Sequence, residues 1–159
     1  MKKSLLFIVV ALSVFTLTSC ASSTPVTIDP IVESFEAEGT KDELYVAANN
    51  WMVENFNSAK SVIQFSDKEA GIVTGKYLLK ETYTYSGYTA TAVGIFAIIK
   101  IQVKDGAARV TVTPDNFNSV SSSLVKEEYQ YTKEKAVAQI QSLIDSLKNY
   151  MKNDNSNDW

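Results

Sequence analysis

Asp105-Gly106 stands between two stretches in which apolar and polar residues alternate. No other feature of the chain constrains its fold as tightly. Asp-Gly between alternating runs is the strongest short-range signal for a two-residue β-hairpin. Such a turn sets Val103 against Ala108, Ile101 against Val110 and Ile99 against Val112, all apolar. The alternate positions set Gln102 against Arg109 and Lys100 against Thr111, as a solvated face requires. Side chains on a strand have a period of two, so a one-residue slip would exchange the faces. The chain must build a sheet with one apolar face and one wet face.

The neighbouring runs extend that sheet. Ser61 to Asp67 leads through Lys68-Glu69-Ala70 to Gly71, where a positive φ is expected. Ile72 to Tyr85 is the next strand, Thr91 to Lys104 the third, and Ala107 to Pro114 the last, with Pro114 able to end it. A two-residue loop at Ser86-Gly87 would set Lys80 against Val93 and Lys76 against Ala97 on the buried face. A loop of Ser86-Gly87-Tyr88 instead sets Leu79 against Ile95, Tyr77 against Ala97 and Val73 against Ile101. A three-residue loop or a bulge is therefore expected at that hairpin.

Two helices bracket these strands. Ile31 to Glu38 reads as an opening strand closed by Gly39, and Thr40 with Glu43 forms a capping box. Leu44, Tyr45, Ala48, Trp51, Met52 and Phe56 then fall on one helical face, with Trp51 read as core. Residues 115–130 lack a clear period and read as a polar connection pinned by Phe117, Val120 and Leu124. Thr132 can cap a C-terminal helix whose stripe is Val137, Ile140, Leu143, Ile144, Leu147 and Met151. That stripe suits a helix laid across a sheet, with a two-stranded coiled coil as the alternative. The order β-α-β-β-β-β-α predicts an α+β fold: a single antiparallel sheet with two helices packed on one face and the other face open to water. The domain spans 31–152, and the polar tail 153–159 is expected to be disordered.

The N-terminus reads as an address. Lys2 and Lys3 precede an apolar run, Leu5 to Leu17, of signal-peptide length and too short to span a bilayer. Leu17-Thr18-Ser19-Cys20 resembles the lipobox of bacterial lipoproteins, in which the Cys becomes the first mature residue and carries the acyl chains. Several chains together anchor stably where one would not. Ser19-x-Ala21 also fits an ordinary small-residue cleavage site. Basic start, apolar run and lipobox fall in order, however, and a lone Cys at a lipobox needs no disulfide partner. Residues 1–19 are thus expected to be a lipoprotein signal peptide and 20–30 a flexible tether. Ala21 in place of Asp, by resemblance to known sorting rules, implies the outer membrane. No acidic run follows Cys20, which by analogy with surface-displayed lipoproteins favours the periplasmic side.

Further along, Lys41-Asp42-Glu43-Leu44-Tyr45 with Trp51, Asp67-Lys68-Glu69-Ala70-Gly71-Ile72-Val73-Thr74-Gly75-Lys76, the Asp105-Gly106 hairpin and Thr113-Pro114-Asp115 resemble a family of Bacteroidetes lipoproteins. It is a domain of unknown function with a TBP-like fold. The likeness covers about residues 31–115. It implies a fold and a compartment, and supplies no activity and no functional residues.

Composition narrows the chemistry. The chain has no His and one Cys, which excludes a Ser-His-Asp triad, a Cys-His dyad and a His/Cys zinc site. Loss of residues 1–19 leaves 13 cations, one of them Arg, against 18 anions. Such a balance does not suit nucleic acid, whatever the fold's name suggests. Ser123-Leu124-Val125-Lys126 matches S-x-x-K but lacks the companion motifs. Asp154 to Asp158 resembles the start of an EF-hand loop, but Trp159 stands where Gly is needed and no twelfth-position Glu follows. Gly71 to Lys76 misses the phosphate-loop spacing and lies in a strand. Glu127-Glu128 and Asp42-Glu43 are adjacent carboxylates that point apart. No catalytic residue, metal ligand or cofactor is assigned.

One constellation remains. Lys76, Leu78, Lys80, Phe96, Ile98, Lys100 and Arg109 are placed by register on the wet face, an apolar patch rimmed by cations. It would hold an acidic or amphipathic partner, an envelope protein or a glycan; the plain alternative is a solubilising face. The expectation is a lipid-anchored, non-enzymatic binding or assembly module. The alternatives are a small hydrolase or glycan-acting enzyme using carboxylates or Ser/Lys, and a structural subunit that packs through its last helix.

Overall fold

The computed structural model describes residues 27–56, 62–86, 88–115, 117 and 131–153. The leader, Cys20, most of the tether, Ser123 to Lys126, Glu127-Glu128 and the tail beyond Asn153 lie outside the described residues. The elements are β1 (Ile31–Glu36), α1 (Lys41–Asn55), β2 (Val62–Asp67), β3 (Ile72–Ser86), β4 (Thr89–Lys104), β5 (Ala107–Asp115) and α2 (Lys133–Asn153). The strands form one five-stranded sheet in the order β1-β5-β4-β3-β2, antiparallel at every pair. The α+β architecture is the expected one, with an opening strand two residues shorter than Ile31 to Glu38.

The β4–β5 hairpin has the register that Asp105-Gly106 dictates. Val103 pairs with Ala108, Ile101 with Val110 and Ile99 with Val112, and all six are buried. Gly106 has φ +74°, a conformation that costs an L side chain about 1–2 kcal/mol. The turn also starts a helix: the Asp105 carboxylate accepts the Lys41 N–H at 2.7 Å, satisfying a donor that the first turn of α1 leaves free. Thr40 and Glu43 complete the capping box, with Thr40 N–H donating to Glu43 Oε2 at 2.8 Å.

α1 buries Leu44, Ala47, Ala48, Trp51 and Met52. Tyr45 and Phe56, expected on that face, are only half-buried at its margin, and Ala47 belongs to it. α2 buries Ala136, Ile140, Leu143, Ile144, Leu147 and Met151. Ala136 replaces the expected Val137 at the head of the stripe, because the i, i+4 row that ends in Ile140 and Ile144 starts there. The stripe is spent inside the domain, against the sheet and α1, where Trp51 Nε1–H donates to Ser146 Oγ at 3.2 Å. Each large apolar side chain so buried contributes about 1.5–3 kcal/mol.

The β3–β4 hairpin differs from the expected loop in where its irregularity lies. Ser86 pairs with Thr89, so the loop holds two residues. The predicted proximal register, with Tyr77 against Ala97 and Val73 against Ile101, is present nonetheless, because a bulge between Leu78 and Lys80 absorbs one residue. The bulge lies at Leu79, well down the strand from the turn. There the core demands that Leu79 and Ile95 both be buried. Beyond it, Lys80–Ser86 and Thr89–Ile95 continue as a two-stranded extension whose ladder partners, among the described residues, are each other.

Candidate functional site: the helix-free sheet face

Alternation places Lys76 and Leu78 of β3, Phe96, Ile98 and Lys100 of β4, and Arg109 of β5 on the face opposite the helices. Leu78 pairs with Phe96, Lys76 with Ile98, Lys100 with Thr74 and Thr111, and Arg109 with Gln102. Directly paired residues share a face. Six of the seven residues predicted from the sequence therefore share one surface.

Lys80 does not join them. It pairs with Ile95, whose side chain is buried on the helix side, so the bulge at Leu79 moves Lys80 to that side of the sheet. The sequence register assumed an unbroken period of two, and one inserted residue reverses the face of everything beyond it.

The apolar centre is tightly built. Leu78, Phe96 and Ile98 are each only partly exposed although no helix covers them. Gly94 makes this arrangement: a Cβ there would lie 2.5 Å from Phe96 Cε2 and Cζ and 2.9 Å from Leu78 Cδ1. The missing side chain lets the phenyl ring lie over the backbone of β4. Lys76 Nζ sits 4.3 Å from the Phe96 ring centroid and 3.4 Å from Asp115 Oδ2. The ammonium thus caps the ring and is itself held by a carboxylate.

Phe65, missing from the sequence reading, belongs to the same face. β2 has a register shift between Ile63 and Phe65; Ile63 pairs with Gly75 and Phe65 with Thr74. The bulge turns Phe65, 53% exposed, onto the helix-free side. Without it, Ile63 and Phe65 would share a face, and no residue type in Val62–Asp67 announces the change.

Arg109 lies apart from the apolar centre. Its partner Gln102 is six residues along β4 from Phe96, about 20 Å at the usual strand rise. There Ser34, Glu36, Gln102, Lys104 and Arg109 line a shallow depression of about 520 Å³. Arg109 Nε–H donates to Ser34 Oγ at 3.1 Å across the β1–β5 pair.

The groups with displaced pKa values stand elsewhere. The Gln141 amide and then Lys148 hold the Glu33 carboxyl below its ordinary value. Glu43 is lowered by the Thr40 N–H of the capping box. Glu134 is lowered by its own backbone N–H and by Thr132 at the start of α2. Burial, and secondarily Tyr77, pushes Tyr131 up to about 12. Each shift follows from a bond or a burial that builds the fold. The helix-free face offers apolar contact, cations and hydrogen bonds, the means of binding.

Residues 33–118 match the family described as "Domain of unknown function (DUF4468) with TBP-like fold". Among solved structures the chain is similar to a DUF4468 family protein from Bacteroides ovatus. Identity is 15%, the likeness covers 79% of this chain and 85% of the other, and the TM-score is 0.45. It is also similar to a TBP-like protein from Parabacteroides distasonis, at 13% identity over 76% of this chain and 92% of the other, with a TM-score of 0.47. No curated protein matches the chain.

Proposed function

Because the chain belongs to the DUF4468 family, a domain of unknown function with a TBP-like fold, we propose a role from its exposed face: a lipid-anchored, non-enzymatic binding or assembly module of the cell envelope. Cys20 carries the lipid, the outer membrane holds it, and the domain faces the periplasm. The sequence Leu17-Thr18-Ser19-Cys20 after a short apolar run supports the anchor. One observation carries the binding role. Leu78, Phe96 and Ile98 form an apolar surface on a sheet face left bare by both helices, flanked by Lys76 and Lys100, with Phe65 on the same face opposite Thr74. Apolar centres with charged rims are the anatomy of protein interfaces. Cations on a chain of net negative charge select an acidic, amphipathic protein surface as the partner.

Crosslinking in the native envelope, followed by mass spectrometry, tests both halves. The protein from native cells is expected to weigh more than its polypeptide and to enter the detergent phase, and Cys20→Ala to remain aqueous. A partner captured by the wild type is expected to be lost in Phe96→Ser and in Lys100→Glu. Unlipidated material, or capture unchanged in both face variants, overturns the reading.

A further inference from the structure

Lys68, Lys76 and Lys148 each have a carboxylate within 4 Å. Lys100, Lys104 and Arg109 do not, among the described residues. These three cations surround one residue. Lys100 and Lys104 stand two positions either side of Gln102 on β4, hence on the same face, and Arg109 is its cross-strand partner on β5. Neighbouring positions on one face of a strand are about 7 Å apart. Three cationic residues thus neighbour one amide-bearing position in a chain with 18 acids and 15 cations. Like charges so placed repel one another. One carboxylate, Glu36 opposite Ala107, lines the same depression, against the two cations Lys104 and Arg109, so positive charge remains in excess.

The surface here is concave. The depression of about 520 Å³ has the size of a small-ligand site, with Gln102, Lys104, Arg109 and Ser34 in its lining. The Ser34 hydroxyl accepts from Arg109 Nε–H at 3.1 Å, a bond that orients the guanidinium without using its terminal N–H groups. A fixed guanidinium fork recognises oxyanions through paired hydrogen bonds, and an ammonium beside it adds a point charge.

The geometry points to an oxyanion site at this end of the sheet: Arg109, Gln102 and Lys104 hold a phosphate group of a small ligand, with Lys100 supplying further positive potential. This deepens the reading of the helix-free face as the binding side of the domain and so rests on it. It assigns that face two subsites about 20 Å apart, one apolar at Phe96 and one anionic at Arg109. The phosphate can belong to a free phosphorylated solute or to a lipid headgroup.

The test is titration of the full-length lipidated protein, held in neutral detergent, with inorganic pyrophosphate while the Gln102 amide and the Arg109 Nε–H are followed by NMR. Both signals are expected to shift saturably. Arg109→Gln is expected to weaken binding at least tenfold, and Lys104→Glu, which removes no described fold contact, several-fold. Dihexanoyl phosphatidylglycerol competing with pyrophosphate, where dihexanoyl phosphatidylcholine does not, identifies a headgroup. Failure to compete identifies a free solute. Shifts that never saturate, or that are equal in the wild type and Lys104→Glu, overturn the site. Envelope crosslinking through the Phe96 surface is expected to survive in Lys104→Glu, so loss of the anion site and loss of the docking face are read separately.

Discussion

Gln139 of α2 donates its amide N–H to the backbone carbonyl of Leu79 at 2.9 Å, and Leu79 is the residue that the β3 bulge takes out of the ladder. The Gln139 carbonyl in turn accepts the Tyr131 hydroxyl at 2.9 Å. One side chain thus serves an irregular backbone carbonyl and a buried phenol. Removing the amide strands both, and a buried unsatisfied group costs about 1–3 kcal/mol. Gln139→Leu is expected to lower unfolding stability by about that amount, read from urea denaturation. Gln139→Glu is expected to cost at least as much, since a carboxylate turned toward a carbonyl cannot donate. Wild-type stability in both variants would show that the bulge stands without this bond.

Two turn glycines invite a contrast. Both have positive φ, +65° at Gly71 and +74° at Gly106. A Cβ on Gly106 would meet nothing within 4 Å, whereas on Gly71 it would lie 2.6 Å from the Val103 carbonyl oxygen. That carbonyl is strand backbone and cannot swing aside. Gly106→Ala should therefore cost only the conformational strain, about 1–2 kcal/mol, with Gly106→Asn cheaper because Asn tolerates this region. Gly71→Ala should cost distinctly more, and Gly71→Asn should give no relief. Thermal melts of the four variants decide; equal costs at the two sites would refute the steric account.

The Gly94–Phe96 contact makes a different prediction, because the obstacle there is a side chain. Gly94→Ala forces the Phe96 ring off the strand at a cost of about 1–3 kcal/mol. In Gly94→Ala/Phe96→Ala the clash is gone, so the double variant should be more stable than the sum of the single losses implies. A double-mutant cycle measures this directly, and additive losses would mean that the ring does not depend on the glycine.

Acid should weaken the junction between β1 and α2. Gln141 Nε2–H donates to Glu33 at 2.7 Å and Lys148 Nζ at 3.0 Å. The Glu33 carboxyl lies below its ordinary value of 4.5, chiefly through Gln141 and then Lys148. Its stabilisation is therefore complete above pH 4.5 and is lost as pH falls through 4.5 toward the folded-state value. Lys148 is raised above 10.5 by the hydrogen bond to Glu33, so its share is present below 10.5 and is lost in stronger base. Both side chains are more than a quarter exposed, which screens the pair and keeps the effect small. Glu33→Gln should flatten the acid limb of the urea midpoint as pH falls below 4.5. An unchanged limb would exclude Glu33 as a contributor.

The legibility of each element followed its distance from an irregularity. The capping box at Thr40 and Glu43 was readable because its hydrogen bonds span three residues. The β4–β5 pairing was readable because a two-residue turn transmits register without slack. The two bulges were not. Leu79 and Gln64 are ordinary strand residues, and the bulge at Leu79 follows from the burial of Leu79 and of Ile95 on the partner strand. Hence an unbroken period of two places Lys80 on the wrong face and leaves Phe65 out, both by a single residue of phase.

The amino-acid order by itself determined the alternation, the turn at Asp105-Gly106 and the two apolar helix stripes, and these suffice for a five-stranded sheet with one dry face. Local chemistry sets such features, since each depends on bonds or periods within a few positions. Tertiary structure alone decided which side chains meet at the apolar centre of the wet face: the phenyl ring over Gly94, and Lys76 between that ring and Asp115. These meetings depend on phase carried across strands, and phase changes wherever packing inserts a residue.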